Sequence, residues 1–192
     1  MIADGCNYKF QTKEDRLTVT APEIILTDKA AQLLEVDAIA YPEDTHLIVD
    51  PYADLEEPAV SMNGLIAEAE STLPRPLGEI TTVRAKGTNA AWLLRLVLLD
   101  LDRQHLCRAK MVEQTLSKLV WQVADMKIQR LGLDRFELLE SCISAYRVLS
   151  CLCNQMKNVA AVGSSTPTTL IFSIQQPGAL RHYQVALANL PK

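Results

Sequence analysis

The sequence predicts an α/β protein, a three-layer α/β/α arrangement around a mixed, mostly parallel central sheet. Three observations carry that expectation. Trp92–Leu99 (WLLRLVLL) is an apolar run interrupted once, the pattern of a strand buried on both faces. Arg108–Ala124 places apolar residues at 112, 116, 119, 120 and 123, which is helical spacing. From residue 36 onward, strand-like and helix-like segments alternate, as in folds built around a parallel sheet.

In chain order, residues 1–16 read as a loose arm and residues 17–192 as a single domain. Leu17–Thr20 and Glu23–Thr27 are rich in β-branched or apolar residues and separated by Ala-Pro, so they predict an early strand pair. Val36–Tyr41 is a short apolar strand running into Pro-Glu-Asp, with His46–Val49 as an extension or second short strand. Asp50 to Pro58 holds two prolines and four acids and predicts a surface loop. Val60–Glu70 predicts a helix that the two prolines and glycine of Ser71–Gly78 interrupt. Glu79–Arg84 is a strand, and Asp125–Arg130 a short one. Arg135–Met156 is expected as one long helix with an apolar stripe through Leu139, Cys142, Ile143, Tyr146, Leu149 and Cys153. Thr168–Ile174 is the last strand and Leu180–Leu190 the terminal helix.

Composition narrows the function classes. The formal net charge is −4 and Lys and Arg are scattered singly, so no basic stripe suggests a nucleic-acid footprint. The longest apolar run, within Ala90–Leu101, is too short and too interrupted to span a bilayer. The polar, acidic N-terminus has no apolar core of a signal peptide, and the expected location is cytoplasmic. Five cysteines, an odd number, then suggest free thiols packed as small apolar side chains. The Cys151-Leu-Cys153 spacing is not that of a zinc site, and His46, His105 and His182 lie far apart in sequence, so no metal is expected. Trp92 and Trp121 are expected in the core and His105 in solvent.

Several segments, taken in order, resemble a macro domain, the ADP-ribose-binding α/β module. The family's opening V-D-A-I-V-N-A-A-N is matched by Val36-Asp37-Ala38-Ile39-Ala40-Tyr41-Pro42-Glu43-Asp44. Its G-G-G-V-x-G-A-I loop is matched by Ala59-Val60-Ser61-Met62-Asn63-Gly64-Leu65-Ile66, and its G-E before a strand by Gly78-Glu79. Leu94–Asp100 stands for its central strand, and Gln129-Arg130-Leu131-Gly132-Leu133-Asp134-Arg135-Phe136 for the second phosphate loop. The resemblance covers about residues 17–190 and rests on element order and weak motifs. It implies a ligand site built from Asp28 (adenine), Tyr41, Asp44, Ser61, Asn63, Gly64, Gly132, Leu133 and Arg135, with Asp44 where deacylating members carry a catalytic asparagine.

The departures point away from the family's ligand. Phosphate loops need glycines so that backbone N–H groups can approach the anion without Cβ obstruction. Here Val60, Ser61 and Met62 replace glycines in the first loop, leaving Gly64, and only Gly132 remains in the second. Glu43 and Asp44 within about 5 Å of a phosphate would repel it by about 1–3 kcal/mol per pair. Glu43 and Asp44 read more simply as a turn in which Asp44 bonds its own backbone, and Ser61 as a helix N-cap. The leading expectation is therefore a non-catalytic binding or scaffolding module that uses no cofactor. Its partner would be a protein or an ADP-ribose-like small molecule, and the terminal helix would support self-association through Leu187 and Leu190. Two alternatives stand beside it: an ADP-ribose-derivative binder or hydrolase with Asp44 as base, and a domain of the leucine-aminopeptidase N-terminal type.

Overall fold

Trp92–Leu99 forms the long strand that its apolar run requires, and the sheet grows outward from it. In the computed structural model, residues 22–48, 51–52, 73–102 and 107–191 are described. Six strands, β1 (Glu23–Thr27), β2 (Ala38–Asp44), β3 (Ile80–Arg84), β4 (Trp92–Leu99), β5 (Arg130–Asp134) and β6 (Thr169–Ser173), lie in the order β1-β6-β5-β2-β4-β3. Every pairing is parallel except β3 against β4. This is the mixed, mostly parallel α/β sheet that the sequence predicts.

Side chains alternate across the sheet with the two-residue period of a strand. Ala38 and Ala40 of β2, with Leu94, Leu96 and Leu98 of β4, enter the larger core. That core is completed by three helices, α1 (Ala109–Asp125), α2 (Ala145–Ala161) and α3 (Pro177–Ala188). On α1 the buried Val112, Leu116, Leu119, Val120 and Val123 repeat at helical spacing, each contributing about 1.5–3 kcal/mol by leaving water. Ile39, Tyr41, Leu93 and Ile171 face the other way, into a smaller core with Ala31, Leu34, Val36 and Tyr52.

Strand order determines where a crevice can open. After β2 the chain forms the edge strand β3 and then β4 on one side, and crosses to β5 and β6 on the other, so the order reverses between β2 and β5. Those two strands pair only from Ala38↔Leu131 to Ala40↔Leu133, whereas β2 stays paired with β4 as far as Asp44↔Leu99. Beyond Ala40 the carboxyl ends of β2 and β5 therefore part. Pro42, which has no N–H to give, falls where the ladder to β5 has already ended.

Several expectations are corrected. Strand β2 continues through Pro42, Glu43 and Asp44 instead of stopping at Tyr41. His46 and Leu47 form a turn, not a strand, and Val49 lies outside the described residues. The short strand expected at Asp125–Arg130 begins at Arg130, so residues 130–134 of the expected second phosphate loop are strand.

The single helix expected from Arg135 to Met156 is two elements, a 3-10 turn at Phe136–Leu139 and α2. Arg135 adopts a left-handed backbone with φ of 56°, which cannot begin an α-helix. Ser144 then starts α2, its hydroxyl oxygen accepting the Arg147 N–H at 3.4 Å. The buried stripe of α2 accordingly runs through Val148, Leu149, Leu152, Met156 and Val159, and Tyr146 is 42% exposed.

Cys107 and Cys142 are joined by a disulfide across 5.8 Å between their Cα atoms, contrary to the expectation of free thiols. Cys151 and Cys153 are free and half-buried. Trp121 is 40% exposed rather than core. Leu187 and Leu190, expected at a self-association surface of the terminal helix, are half-buried and pack against the main core. The expected arm at residues 1–16, the Leu17–Thr20 strand, Cys6, the Val60–Glu70 helix and His105 lie outside the described residues.

Candidate functional site

In open α/β sheets, ligands sit beyond the carboxyl ends of the strands where the strand order reverses. Here that place is the gap between β2 and β5. On the β2 side, Glu43 and Asp44 are both fully buried. The Glu43 Oε1 accepts the Asp44 N–H at 2.9 Å. Asp44 turns the chain: its Oδ1 accepts the Ile48 N–H at 2.6 Å and its Oδ2 the His46 N–H at 3.2 Å. The self-bonded turn expected of Asp44 is thus present, but buried instead of solvated.

On the β5 side, Asp134 is buried and its Oδ2 accepts the Tyr52 hydroxyl at 2.6 Å, a contact across 82 residues of sequence. Burial pushes the Tyr52 phenol far above its usual range, and the Asp134 carboxylate adds to the rise. The Tyr52 ring meets Tyr41 edge-on at 4.9 Å between centroids, and the Arg95 Nε donates to the Tyr41 hydroxyl at 3.3 Å. Beyond Asp134, burial raises the Glu137 carboxyl above its ordinary value. Asp134 Oδ1 and Glu137 Oε2 are buried and find no hydrogen-bond donor among the described residues. Arg135, which is exposed, has its Nε 3.9 Å from Asp134 Oδ2. The rim is therefore rich in carboxylate: Glu43 and Asp44 on one side, Asp134 and Glu137 on the other.

The residues expected to form a site are only partly brought together. Tyr41, Asp44 and Arg135 flank the gap. Gly132 does not belong to a loop: it is buried within β5, paired with Ile39 and Ile171. A Cβ there would meet Val36, Ala38 and Ile39 at 3.4–3.5 Å, ordinary contact, so this glycine serves no close approach to an anion. Leu133 is fully buried in the main core rather than lining a loop. Asp28 is exposed just after β1, at the sheet edge and separated from β5 by β6. Ser61, Asn63 and Gly64 lie outside the described residues.

Tyr52, Asp134, Glu137 and Arg95 carry the crevice chemistry without having been singled out from the sequence. Asp134 had a usable signal, an acid closing an apolar strand. Tyr52 had none, because it follows Pro51 in an irregular stretch with no periodicity.

Away from the gap, the Cys151 thiol is pushed up to about 11, mainly by burial and then by Glu113, so it is a poor nucleophile at neutral pH. This agrees with a packing role rather than redox sensing. Among the described residues, no three His, Cys, Asp or Glu side chains converge well enough to hold a metal ion, and no helix is long and apolar enough to cross a membrane.

No protein-family model matches this chain, and no curated protein does. Solved structures do. The macro domain of ganglioside induced differentiation associated protein 2 is similar with a TM-score of 0.62 and 11% identity, over 86% of this chain and 82% of that one. A Trypanosoma brucei macrodomain in complex with ADP gives 0.59 and 13%, over 86% and 69%. A mutant Oceanobacillus iheyensis macrodomain with ADPR gives 0.60 and 10%, over 86% and 90%. At such identities the likeness concerns the backbone. The chain has the macrodomain fold.

Proposed function

We propose that this macrodomain-fold chain is a non-catalytic binding or scaffolding module in which the crevice between β2 and β5 no longer recognises the diphosphate of ADP-ribose. The observation that carries the reading is the engagement of Asp44. Both of its carboxylate oxygens accept backbone N–H groups of its own turn and the residue is fully buried, which ties the carboxylate to the turn and away from water. Buried Asp134 and Glu137 across the gap add to the case. A phosphate charge about 5 Å from either carboxylate, at an effective dielectric of about 20–40, would be repelled by about 2–3 kcal/mol per pair. Arg135 offsets part of this, but one exposed guanidinium does not replace a cradle of backbone N–H groups. The cytoplasmic location suggested by the sequence belongs to the same proposal.

The second reading is an ADP-ribose binder or hydrolase, and two observations favour it. Two of the similar structures hold ADP or ADPR. Arg135, exposed in a left-handed turn at the end of β5, stands where an anion could be met. In that reading Asp28 would contact adenine and Asp44 would act as base.

Calorimetric titration with ADP-ribose separates the two. The first reading expects no saturable heat at millimolar ligand, on the order of −4 kcal/mol or weaker. Micromolar binding that is lost in Arg135→Ala would reject it in favour of the second.

A further inference from the structure

Outside the crevice, the faces of α2 and α3 enclose a groove of about 770 Å³, within the size range of small-molecule sites. One wall is a single face of α3, where Arg181, His182, Val185 and Ala186 recur at helical spacing. The other wall is the first turn of α2, with the ring of Tyr146. Two large apolar side chains, Tyr146 at 42% and Val185 at 57% exposure, meet water here in one groove. Adjacent exposed apolar groups with a polar rim mark an interaction site more often than scattered ones do.

The groove lining carries both an acid, Glu140, and an arginine, Arg181. Glu140 closes one end, and its Oε2 lies 3.1 Å from the His182 Nδ1. Its Oε1 is buried and has no hydrogen-bond partner among the described residues. Arg181 has no hydrogen-bond or ion-pair partner among the described residues, so a guanidinium fork stands at the mouth of an apolar slot. This is a cationic spot on a protein whose formal net charge is −4. The apolar wall, chiefly Tyr146, Val185 and Ala186, offers contact for about one ring, too little for the two-turn apolar stripe of a docked amphipathic helix.

We propose that the groove between α2 and α3 binds a small aryl carboxylate, its ring packed between Tyr146 and Val185 and its carboxylate held by the Arg181 guanidinium. Arginine suits this task because its planar fork gives a carboxylate two parallel N–H donors, which an amide or amine cannot use in the same way. The site lies outside the β2–β5 crevice and does not depend on how that crevice is read.

The test uses the full chain and 4-hydroxyphenylacetate as probe, followed by two-dimensional NMR and calorimetry, with 4-hydroxyphenylacetamide and tyramine as neutral and cationic counterparts. The acid is expected to saturate with a Kd on the order of 0.1–1 mM, and both counterparts to bind at least about tenfold more weakly. Arg181→Gln and Tyr146→Ala should each weaken the acid about tenfold. Lys157→Gln, an equal charge change on exposed α2 surface, should leave its affinity unchanged. Both substituted groove side chains are at least partly exposed, so a folding defect is not expected, and the amide dispersion of the NMR spectra checks this directly. Equal binding of acid and amide, indifference to Arg181→Gln, or no saturation at about 10 mM would each overturn the proposal. A concentration-dependent dimer by light scattering that Arg181→Gln dissolves would overturn it too, assigning the groove to a second copy of the chain.

Discussion

Asp44 at the end of β2 and Asp134 at the end of β5 face the same gap, and both are buried carboxylates. They are accommodated in opposite ways. Asp44 receives two backbone N–H groups from within four residues of itself. Asp134 receives a phenol from Tyr52, 82 residues earlier in the chain, and keeps one oxygen without a donor among the described residues. A locally satisfied acid secures a turn wherever that turn packs. An acid satisfied from a distance holds only while the two segments stay docked, so the β5 side of the crevice is the side whose stability depends on tertiary contact.

The largest effect expected from breaking this contrast is at Asp44. Asp44→Ala removes the charged acceptor of two part-buried N–H groups and should lower unfolding stability by about 3 kcal/mol, measured by urea denaturation. Asp44→Asn keeps one acceptor oxygen and should lose about half as much. A loss below about 1 kcal/mol for Asp44→Ala would mean that the turn does not depend on its carboxylate.

Tyr52→Phe comes next. It removes the donor to a buried charge and should cost about 2 kcal/mol. In the Tyr52→Phe/Asp134→Asn double mutant the two losses should be less than additive, because the second change removes the charge that the first left exposed to burial. Strict additivity would show that the two groups act separately.

The smallest effect is a pH slope. Burial raises the Glu137 carboxyl, so the folded state binds that proton more tightly than the unfolded chain does. Stability from this group is present in acid and falls as pH rises from the ordinary glutamate value through the raised one. Glu137→Gln should flatten that decline in thermal melts between acidic and neutral pH and raise Tm at neutrality. A steeper decline in the variant would reverse the sign assigned to Glu137.

Legibility from the sequence divides along the same line. β4 was readable because an eight-residue apolar run leaves little choice of structure, and α1 because its apolar positions repeat at helical spacing. The Asp44 turn was readable for a related reason: an acid after a strand can bond its own following backbone. The 135–156 stretch misled because apolar periodicity continues through residues 139–143 while Arg135 in a left-handed turn, the 3-10 turn and the Ser144 cap end one element and begin another. Gly132 misled because a lone glycine looks the same in a loop and in a buried strand. The contact of Leu187 and Leu190 with the main core was not readable, because a terminal helix shows its apolar face in sequence without showing what that face meets.

Local patterning alone determined most of the strands and helices here, since side-chain period and turn chemistry act between residues a few positions apart. The crevice and the groove were decided in three dimensions. The reversal of strand order between β2 and β5, the Tyr52–Asp134 bond and the meeting of α2 with α3 each join residues far apart in the chain, and no local period encodes such distances.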